Sequence, residues 1–293
     1  MTGKKVLYVS SEVIPYLPSN DISSLSYNLP KMVNQNGGQT RIFIPKYGII
    51  NERRHQLHEV IRLSGMNLII DDVDMPLIIK VASIPKERMQ VYFIDNEEYF
   101  KRKDLLLDKN LKLLKDNDER MIFFTKGVIE TVKKLNWVPD IIHLHGWFSS
   151  LFPIYLKKLN WSPDIIHVHG WIASLLPLYL KEYYKDEPLF NNSKVVVSVY
   201  GNEISGNLDS KMVKKIQYDE IESETLQVLE KPTYLDLYKN AILNSDGVVI
   251  AGEEMDESIL NLTQTHNKPT LKCGFKEGFK KEYLDFYTTK ILN

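Results

Sequence analysis

Two consecutive stretches of this chain are near copies of each other. Residues 135–158 read LNWVPDIIHLHGWFSSLFPIYLKK and residues 159–182 read LNWSPDIIHVHGWIASLLPLYLKE, with 17 of 24 positions identical and nothing between them. Each copy opens with a short apolar run rich in isoleucine and continues with a longer stretch of helical periodicity. The chain therefore carries one strand-then-helix unit twice, and its fold must place both units.

The rest of the chain alternates the same two patterns. Strand-length apolar runs stand at residues 5–10, 41–45, 194–200 and 247–251, and helices are predicted to begin near Ser23, Asp116 and Tyr234. Between residues 65 and 95, three apolar runs follow one another without a helix, which predicts a β-rich excursion. A short strand near Thr270 and a last helix through Tyr283 complete the pattern. The alternation predicts an α/β fold: a Rossmann-like, mostly parallel sheet with helices on both faces and one βα unit duplicated.

Charge and cysteine content narrow the functional classes. The 37 basic and 38 acidic residues nearly balance, and no long block of like charge is present. This balance argues against nucleic acid or membrane partners. A single cysteine, Cys273, excludes an intramolecular disulfide. With no apolar run of signal-peptide or membrane-spanning length, we expect a cytoplasmic protein.

In a parallel sheet, ligands gather at the carboxyl ends of the strands. The candidate positions are therefore Ser10–Glu12, His143–Trp147, His167–Trp171, Ser198–Gly201 and Gly252–Glu254. Each copy of the repeat ends its strand with two histidines that face the same way, His143 with His145 and His167 with His169.

The paired histidines allow a metal hypothesis. Some metal-dependent hydrolases present two ligands in this way, but they need further ligands from other strand ends. The remaining histidines, His55, His58 and His266, follow no predicted strand. We therefore predict no metal site and no cofactor. The preferred interpretation packs the inner histidine in the sheet and leaves the outer one to line a cleft, with Gly146 or Gly170 allowing a tight turn into the helix.

Several motifs occur in an order and spacing that resemble a known family. They are KKVLYVSSEVIPY, NLPKM with GGQTRIFIPKYG, DNDERMIFF, PDIIHVHGW and NSDGVVIAGEEM. Together they resemble the N-terminal, starch-synthase catalytic domain of bacterial glycogen and plant starch synthases, over residues 1–293 once one repeat copy is set aside. The resemblance implies one half of a two-domain GT-B retaining glycosyltransferase, and glucosyl transfer from ADP-glucose to an α-1,4-glucan.

The resemblance also assigns site residues. Glu12, Asp116 and Asn117 match family positions near the sugar site. His169, Gly170 and Trp171 match the family's H-D-W-H turn, and Tyr200 and Gly201 match the end of its T-x-H-N motif. Candidates for stacking on a sugar face are the aromatic rings of Tyr16, Tyr27, Trp147, Trp171 and Tyr200, with burial in the core or cleft wall as the alternative for most of them. The catalytic residue itself stays unassigned.

Two departures from the family pattern weaken the expected activity. Its phosphate-contacting K-x-G-G loop is replaced here by Pro18, Ser19, Asn20 and Asp21, which removes a positive charge and puts an acid where glycine lets amides approach a phosphate. The last histidine of its H-D-W-H turn is replaced by Phe148 in one copy and Ile172 in the other.

The expected function is therefore a degenerate glycogen or starch synthase domain. In the family, a second Rossmann-like domain supplies most of the donor site, and we expect that domain to be absent from this chain and to come from a separate chain, if the protein is active. Two alternatives remain: a non-catalytic module that binds α-glucan or a partner protein, and a metal-dependent hydrolase. Of the two repeat copies, we expect one to hold the native position and the other to lie at an edge or outside the sheet, with the second copy favoured for the native place.

Overall fold

The computed structural model divides the chain into two compact units. The first unit covers Met1–Trp161 and the second covers Ser162–Asn293. The division falls within the opening residues of the second repeat copy. The structure describes residues 1–85, 87, 89–110, 112–156, 159–201, 208, 211–217, 221, 226–230, 232–251, 255–273 and 279–292.

The first unit is a mixed sheet with helices. Its strands are β1 (Lys5–Ser10), β2 (Gln39–Pro45), β3 (His58–Glu59), β4 (Met66–Ile70), β5 (Val73–Ile84), β6 (Met89–Asp95) and β7 (Ile141–His145). Its helices are α1 (Asp21–Gln35), α2 (Glu52–His55), α3 (Glu97–Phe100), α4 (Asn117–Leu135) and α5 (Phe152–Leu156), with a 3₁₀ turn at Trp147–Ser149. The strand order is β7-β1-β2-β6-β5-β3, and β4 pairs with β5. The first four strands of this order are parallel, and β5 runs antiparallel to its three neighbours.

The described residues of the second unit form four parallel strands. They are β8 (Ile165–His169), β9 (Lys194–Val199), β10 (Gly247–Ile250) and β11 (Thr270–Lys272), paired in that order. The α-helices are α6 (Leu176–Leu178), α7 (Met212–Gln217), α8 (Tyr234–Leu243), α9 (Glu257–Thr265) and α10 (Phe279–Asp285). Short 3₁₀ turns stand at Trp171–Ala173 and Gln227–Leu229, and π-helical segments at Tyr179–Tyr183 and Phe286–Ile291.

Local sequence explains the helix boundaries. Asn20 and Ser23 form a reciprocal capping box at the start of α1, and Thr233 and Asp236 form one at the start of α8. Helix α4 has acidic residues in its first turn and two lysines in its last, which suits the helix dipole. Strands β7 and β8 are buried at every position, as expected for strands of a parallel sheet that is covered on both faces.

The predicted fold class is confirmed, and so is the β-rich excursion, which forms the antiparallel pairs of β4, β5 and β6. Both copies of the repeat contribute a strand to a sheet, so neither takes the outside position that was one of the two expected alternatives. Which copy holds the native position stays a prediction. Strand β7 of the first copy pairs with β1 in the first unit, and β8 of the second copy pairs with β9 in the second unit. Each copy found a parallel neighbour within its own unit. Among the described residues, no helix combines the length and the apolar character needed to cross a membrane.

Candidate functional site

Side chains of the loop after β1 and of the first turn of α1 cap the N-terminus of α1. Asn20 Oδ1 accepts a hydrogen bond from the Ser23 backbone amide at 2.8 Å, and the Ser23 hydroxyl accepts one from the Asn20 amide at 2.8 Å. The same hydroxyl donates to the Pro18 carbonyl at 2.8 Å. An anion at a helix N-terminus is held by open backbone amides. The amides of Asn20 and Ser23 are already bonded inside the loop, and residues 18–21 contain no lysine, so this loop is poorly suited to holding an anion.

Asn20 also ties this loop to Glu12. Its Nδ2 donates to Glu12 Oε2 at 2.6 Å, while Ser10 Oγ donates to the Glu12 carbonyl at 2.7 Å. Burial raises the pKa of the Glu12 carboxyl, and the bond from Asn20 acts in the opposite direction. Glu12 remains partly exposed at the carboxyl end of β1. It is therefore a carboxylate within reach of a hydroxyl ligand at the predicted edge of the sheet.

Asp116 and Asn117 hold a neighbouring loop. Asp116 stands at the N-cap position of α4 but makes no capping bond through its side chain, which pairs with Arg102 instead. Asn117 donates from Nδ2 to the Leu106 carbonyl at 3.0 Å and accepts from Arg120 at 2.8 Å. Both side chains are thus committed to the segment that precedes α4. In this structure they hold the segment between α3 and α4 against the start of α4.

Arg120 of α4 makes the central contacts of this region. It is fully buried and lies over the rings of Tyr47, Phe100 and Phe148, at 5.9, 5.4 and 5.5 Å from their centroids. Its guanidinium donates to the carbonyl of Tyr99 in α3 at 3.0 Å and to two carbonyls of the loop that follows α3, those of Leu105 at 2.6 Å and Asp104 at 3.4 Å. Burial lowers the pKa of Arg120, yet an arginine stays charged at neutral pH. Carbonyl oxygens and aromatic faces stabilise that charge.

Phe148 is a core residue in the first copy. It is 0% exposed, and its ring lies 5.5 Å from Phe124, 5.9 Å from Phe100 and 6.0 Å from Tyr47. The resemblance puts a sugar-contacting histidine at this position. Here the position anchors the turn after β7 in an aromatic cluster.

The two histidines of the first copy are both buried. His145 Nδ1 lies 3.0 Å from Ser26 Oγ, and the His143 ring stacks on Tyr8 at 4.6 Å. Burial lowers the pKa of His145 to about 3, so this imidazole is neutral at physiological pH. The interpretation that the outer histidine lines a cleft is wrong for this copy, because His145 is 0% exposed.

The predicted glycine turns are confirmed in both copies. Gly146 has φ +75° and Gly170 has φ +86°, values that side-chain-bearing residues rarely adopt. A Cβ on Gly146 would lie 2.5 Å from Ser11 Oγ. The turn after β7 therefore needs glycine for its backbone angle and for its close approach to the loop after β1.

The histidines of the second copy join a buried hydroxyl network. His167 bonds the Tyr287 hydroxyl through Nδ1 and Ser198 Oγ through Nε2, the latter at 2.8 Å. His169 Nδ1 lies 3.0 Å from the Tyr200 hydroxyl, and the two imidazole rings stack at 4.0 Å. His169 is only 1% exposed, so it does not line an open cleft either.

The remaining predicted positions of the second unit flank this network. Tyr200 is 3% exposed, and its backbone amide donates to Tyr238 at 3.3 Å, so its ring belongs to the core and not to a sugar-stacking surface. Trp171 is partly buried and packs against two apolar clusters. Gly170 and Gly201 lie at the carboxyl ends of the adjacent strands β8 and β9. The candidate segment 252–254 and the side chain of Ile172 lie outside what the structure describes.

A model of the starch synthase catalytic domain matches this chain twice, over residues 5–162 and 156–270. The two matches meet at the junction of the repeat copies. The chain belongs to the starch synthase catalytic domain family. This membership confirms the glycosyltransferase resemblance and argues against a metal-dependent hydrolase.

Curated relatives agree with the family assignment. The glycogen synthase of Chlorobium luteolum is 37% identical over 218 residues, and that of Chlorobium limicola is 37% identical over 220 residues. These alignments cover 74% and 75% of this chain and 40% of each relative. The glycogen synthase of Chlorobaculum tepidum is 43% identical over 148 residues, half of this chain and 30% of the relative. This family member thus spans about 40% of the length of the Chlorobium relatives it matches.

A solved structure supports the fold. The catalytic domain of starch synthase IV from Arabidopsis thaliana, bound to ADP and acarbose, superposes with a TM-score of 0.56 and 16% identity. The match covers 93% of this chain and 52% of the plant chain. The chain therefore has the Rossmann-like architecture of one GT-B half.

Some site-building residues had no signal in the sequence. Ser26 reaches His145 from α1, and Tyr283 and Tyr287 reach Ser198 and His167 from the last helical segment. These contacts join residues 85 to 120 positions apart. The four-residue spacing of the two tyrosines indicated one helix face, but nothing in it named the histidine they meet.

Proposed function

We propose that this protein is a degenerate half of a glycogen- or starch-synthase-type glucosyltransferase. In this proposal it transfers glucose from ADP-glucose to an α-1,4-glucan only when a second Rossmann-like domain supplies the contacts to the diphosphate. Family membership supports the reaction class. The loop of Pro18–Asp21, closed on itself by Asn20, is the observation that supports the dependence on a second domain.

The chemistry explains the dependence. A nucleoside diphosphate leaving group needs positive charge and aligned amides in the transition state. The loop after β1 offers no lysine, it places Asp21 at a former glycine position, and Asn20 occupies the amide of Ser23. A phosphate placed there would meet a carboxylate and would have to displace a formed cap.

For binding a glucan, the segment after β1 does retain a suitable polar group. Glu12 keeps a partly exposed carboxylate beside the strand end, where it is able to accept hydrogen bonds from sugar hydroxyls. The plant relative of the same fold was solved with ADP and acarbose, which supports nucleotide and oligosaccharide as ligand classes.

A transfer assay tests the proposal. Incorporation of radiolabel from ADP-glucose into glycogen is measured for the chain alone and for the chain mixed with the second GT-B domain of the Chlorobium luteolum glycogen synthase. We expect no incorporation alone and measurable incorporation with the added domain, reduced in a Glu12→Gln variant. Incorporation by the chain alone would disprove the dependence, and no incorporation either by the chain alone or in the mixture would refute transferase activity.

Restoring the phosphate loop provides a second test. The variant Pro18→Lys/Asn20→Gly/Asp21→Gly reinstates the family pattern, with Ser19→Ala as a control in the same loop. Because charge-assisted hydrogen bonds contribute about 1.5–3 kcal/mol each, we expect ADP to bind at least about tenfold more tightly to the restored variant. Equal ADP affinity in all three proteins, measured by calorimetry, would mean that the loop is not the defect.

The closed loop also favours a second candidate, a non-catalytic module that binds α-glucan or a partner protein. Retardation in a glycogen-containing gel, together with no transfer in any mixture and no ADP binding by the restored variant, would favour the glucan-binding form of this candidate.

A further inference from the structure

A buried row of hydrogen-bonded side chains lies behind Glu12 in the first unit. It consists of His145 at the end of β7, Ser26 on α1 and Ser10 at the end of β1. His145 Nδ1 lies 3.0 Å from Ser26 Oγ, and Ser26 Oγ lies 2.8 Å from Ser10 Oγ. All three residues are 0% exposed. This serine–histidine row therefore joins three elements of the unit away from solvent.

Ser10 connects the row to the backbone of Glu12. Its hydroxyl donates to the Glu12 carbonyl at 2.7 Å and accepts from the Glu12 amide at 3.2 Å. One side chain thus bonds both polar backbone groups of the residue that carries the partly exposed carboxylate. The carboxylate itself accepts from Asn20 at 2.6 Å. The position of the Glu12 side chain consequently depends on where Ser10 holds its backbone.

The number of hydroxyl hydrogens determines the direction of the row. A serine hydroxyl has one hydrogen to donate. Ser10 uses its hydrogen on the Glu12 carbonyl, so the bond between the two serines uses the hydrogen of Ser26. Ser26 then has no hydrogen left for His145, and the imidazole donates from Nδ1. Because burial keeps this imidazole neutral, a proton on Nδ1 leaves Nε2 unprotonated.

The opposite tautomer would reverse the row. With the proton on Nε2, the Nδ1 atom of His145 accepts, and the hydrogen of Ser26 turns towards it. Ser10 would then lose the donor at its oxygen, or would turn its own hydrogen from Glu12 to Ser26. Hydrogen bonds in a buried region of low dielectric are strong and polarise one another. The orientation of each group in the row therefore fixes that of the next.

We propose that His145, as the Nδ1–H tautomer, and Ser26 are positioning residues that act through Ser10 to hold the Glu12 carboxylate in place for sugar hydroxyls. Their complete burial means that they act on a ligand only through Glu12. The role of Glu12 as a glucan contact rests on the proposed function. An acceptor that is oriented before the ligand arrives loses less conformational entropy on binding.

Nitrogen NMR tests the tautomer. In the full chain labelled with ¹⁵N-histidine, the signals of His145 are identified by their loss in the His145→Gln variant. At neutral pH we expect a protonated Nδ1 and an unprotonated Nε2, two states that differ widely in ¹⁵N chemical shift. A proton on Nε2 would overturn the proposal, because Ser26 would then donate to His145 and not to Ser10.

The carboxyl group of Glu12 reports its own position. Burial raises its pKa and outweighs the bond from Asn20, so release towards solvent should lower the pKa to nearer its ordinary value. Carbon NMR titration compares Ser26→Ala with Ser24→Ala, which removes a hydroxyl of the same helix that bonds Ser19 at 3.1 Å. We expect the pKa of Glu12 to fall in Ser26→Ala and to stay raised in Ser24→Ala. An unchanged pKa in Ser26→Ala would disprove the positioning role.

Two substitutions of His145 separate the hydrogen bond from packing. His145→Asn keeps an N–H donor close to the place of Nδ1, whereas His145→Leu removes every donor. We expect the pKa of Glu12 to stay near that of the parent in His145→Asn and to fall in His145→Leu. Equal shifts in the two variants would assign the effect to lost volume and overturn the proposal.

Glycogen affinity electrophoresis separates this proposal from the proposed function. We expect Ser26→Ala to bind glycogen about two- to fivefold more weakly than the parent, since a displaced acceptor loses part of one hydrogen bond, and Glu12→Gln to bind more weakly as well. If Glu12→Gln binds like the parent, the glucan contact of the proposed function fails, and the pKa of Glu12 in Ser26→Ala still decides the positioning. If Glu12→Gln binds more weakly while Ser26→Ala matches the parent in affinity and pKa, the proposed function stands and the positioning is wrong.

Discussion

The two copies of the repeat show one local sequence in two environments. In the first copy, His145 bonds Ser26 of α1, and Phe148 fills an aromatic cluster around Arg120. In the second copy, His167 bonds Ser198 and a tyrosine from the last helical segment. The strand, the glycine with positive φ and the 3₁₀ turn are the same in both. The repeat sequence therefore fixes the local shape, and the surrounding unit fixes what each histidine does.

Phe148→Ala is the strongest test of that difference. Removing a fully buried phenylalanine leaves a cavity against Arg120 and its neighbouring rings, so we expect the free energy of unfolding to fall by about 3–5 kcal/mol. Urea denaturation measures the loss. Ile154→Ala in the same copy is the control, because Ile154 is 42% exposed and its loss is expected to change stability little. Equal effects of the two substitutions would refute the core role of the first turn.

Lowering the pH is expected to reduce the free energy of unfolding through His145 of the first copy. Its pKa is about 3 in the folded protein and about 6.5 when unfolded, so the unfolded chain binds a proton that the folded chain does not. Stability from this residue is fully present above pH 6.5 and falls as the pH drops towards 3, by about 2 kcal/mol between pH 6.5 and 5. Urea denaturation midpoints at several pH values measure how steeply the free energy of unfolding changes with pH. His145→Gln should flatten this dependence, and an unchanged slope in this variant would contradict a buried neutral imidazole.

Tyr287→Phe should affect the second copy. It removes the hydroxyl bonded to His167 Nδ1 and leaves a buried ring nitrogen without this partner, at a cost of about 1–2 kcal/mol in unfolding free energy. Thermal unfolding of the variant is compared with that of Tyr183→Phe, since Tyr183 is 50% exposed. If both variants melt like the parent, the network does not hold the last helical segment.

The turn glycines give the last prediction, in which the expected difference between variants is small. Gly170→Ala forces a side chain into positive φ, which costs about 1–2 kcal/mol. Gly146→Ala carries the same backbone cost and also places its Cβ 2.5 Å from Ser11 Oγ. Gly65 also has positive φ, +79°, but an added Cβ there would meet no atom within 4 Å. Chemical denaturation should therefore rank Gly146→Ala below Gly65→Ala in stability, and the reverse order would argue against a tight contact between the first turn and the loop after β1.

The sequence by itself determined the α/β class, most strand and helix positions, the glycine turns and the family. Each depends on local periodicity, on a residue-specific backbone angle or on the order of motifs. Through the family resemblance, the sequence also predicts a degraded phosphate loop at Pro18–Asp21, because lysine and glycine are needed there for charge and for close approach.

Only the tertiary structure decided what the remaining residues do. Asn20 both caps α1 and binds Glu12, and Asp116, at the N-cap position of α4, pairs through its side chain with Arg102. The histidines became buried hydrogen-bonding groups because Ser26 and Tyr287, more than a hundred positions away in sequence, supply hydroxyls at their rings. Burial and partners depend on which distant segments pack together, and near-identical repeat copies carry no information about that choice.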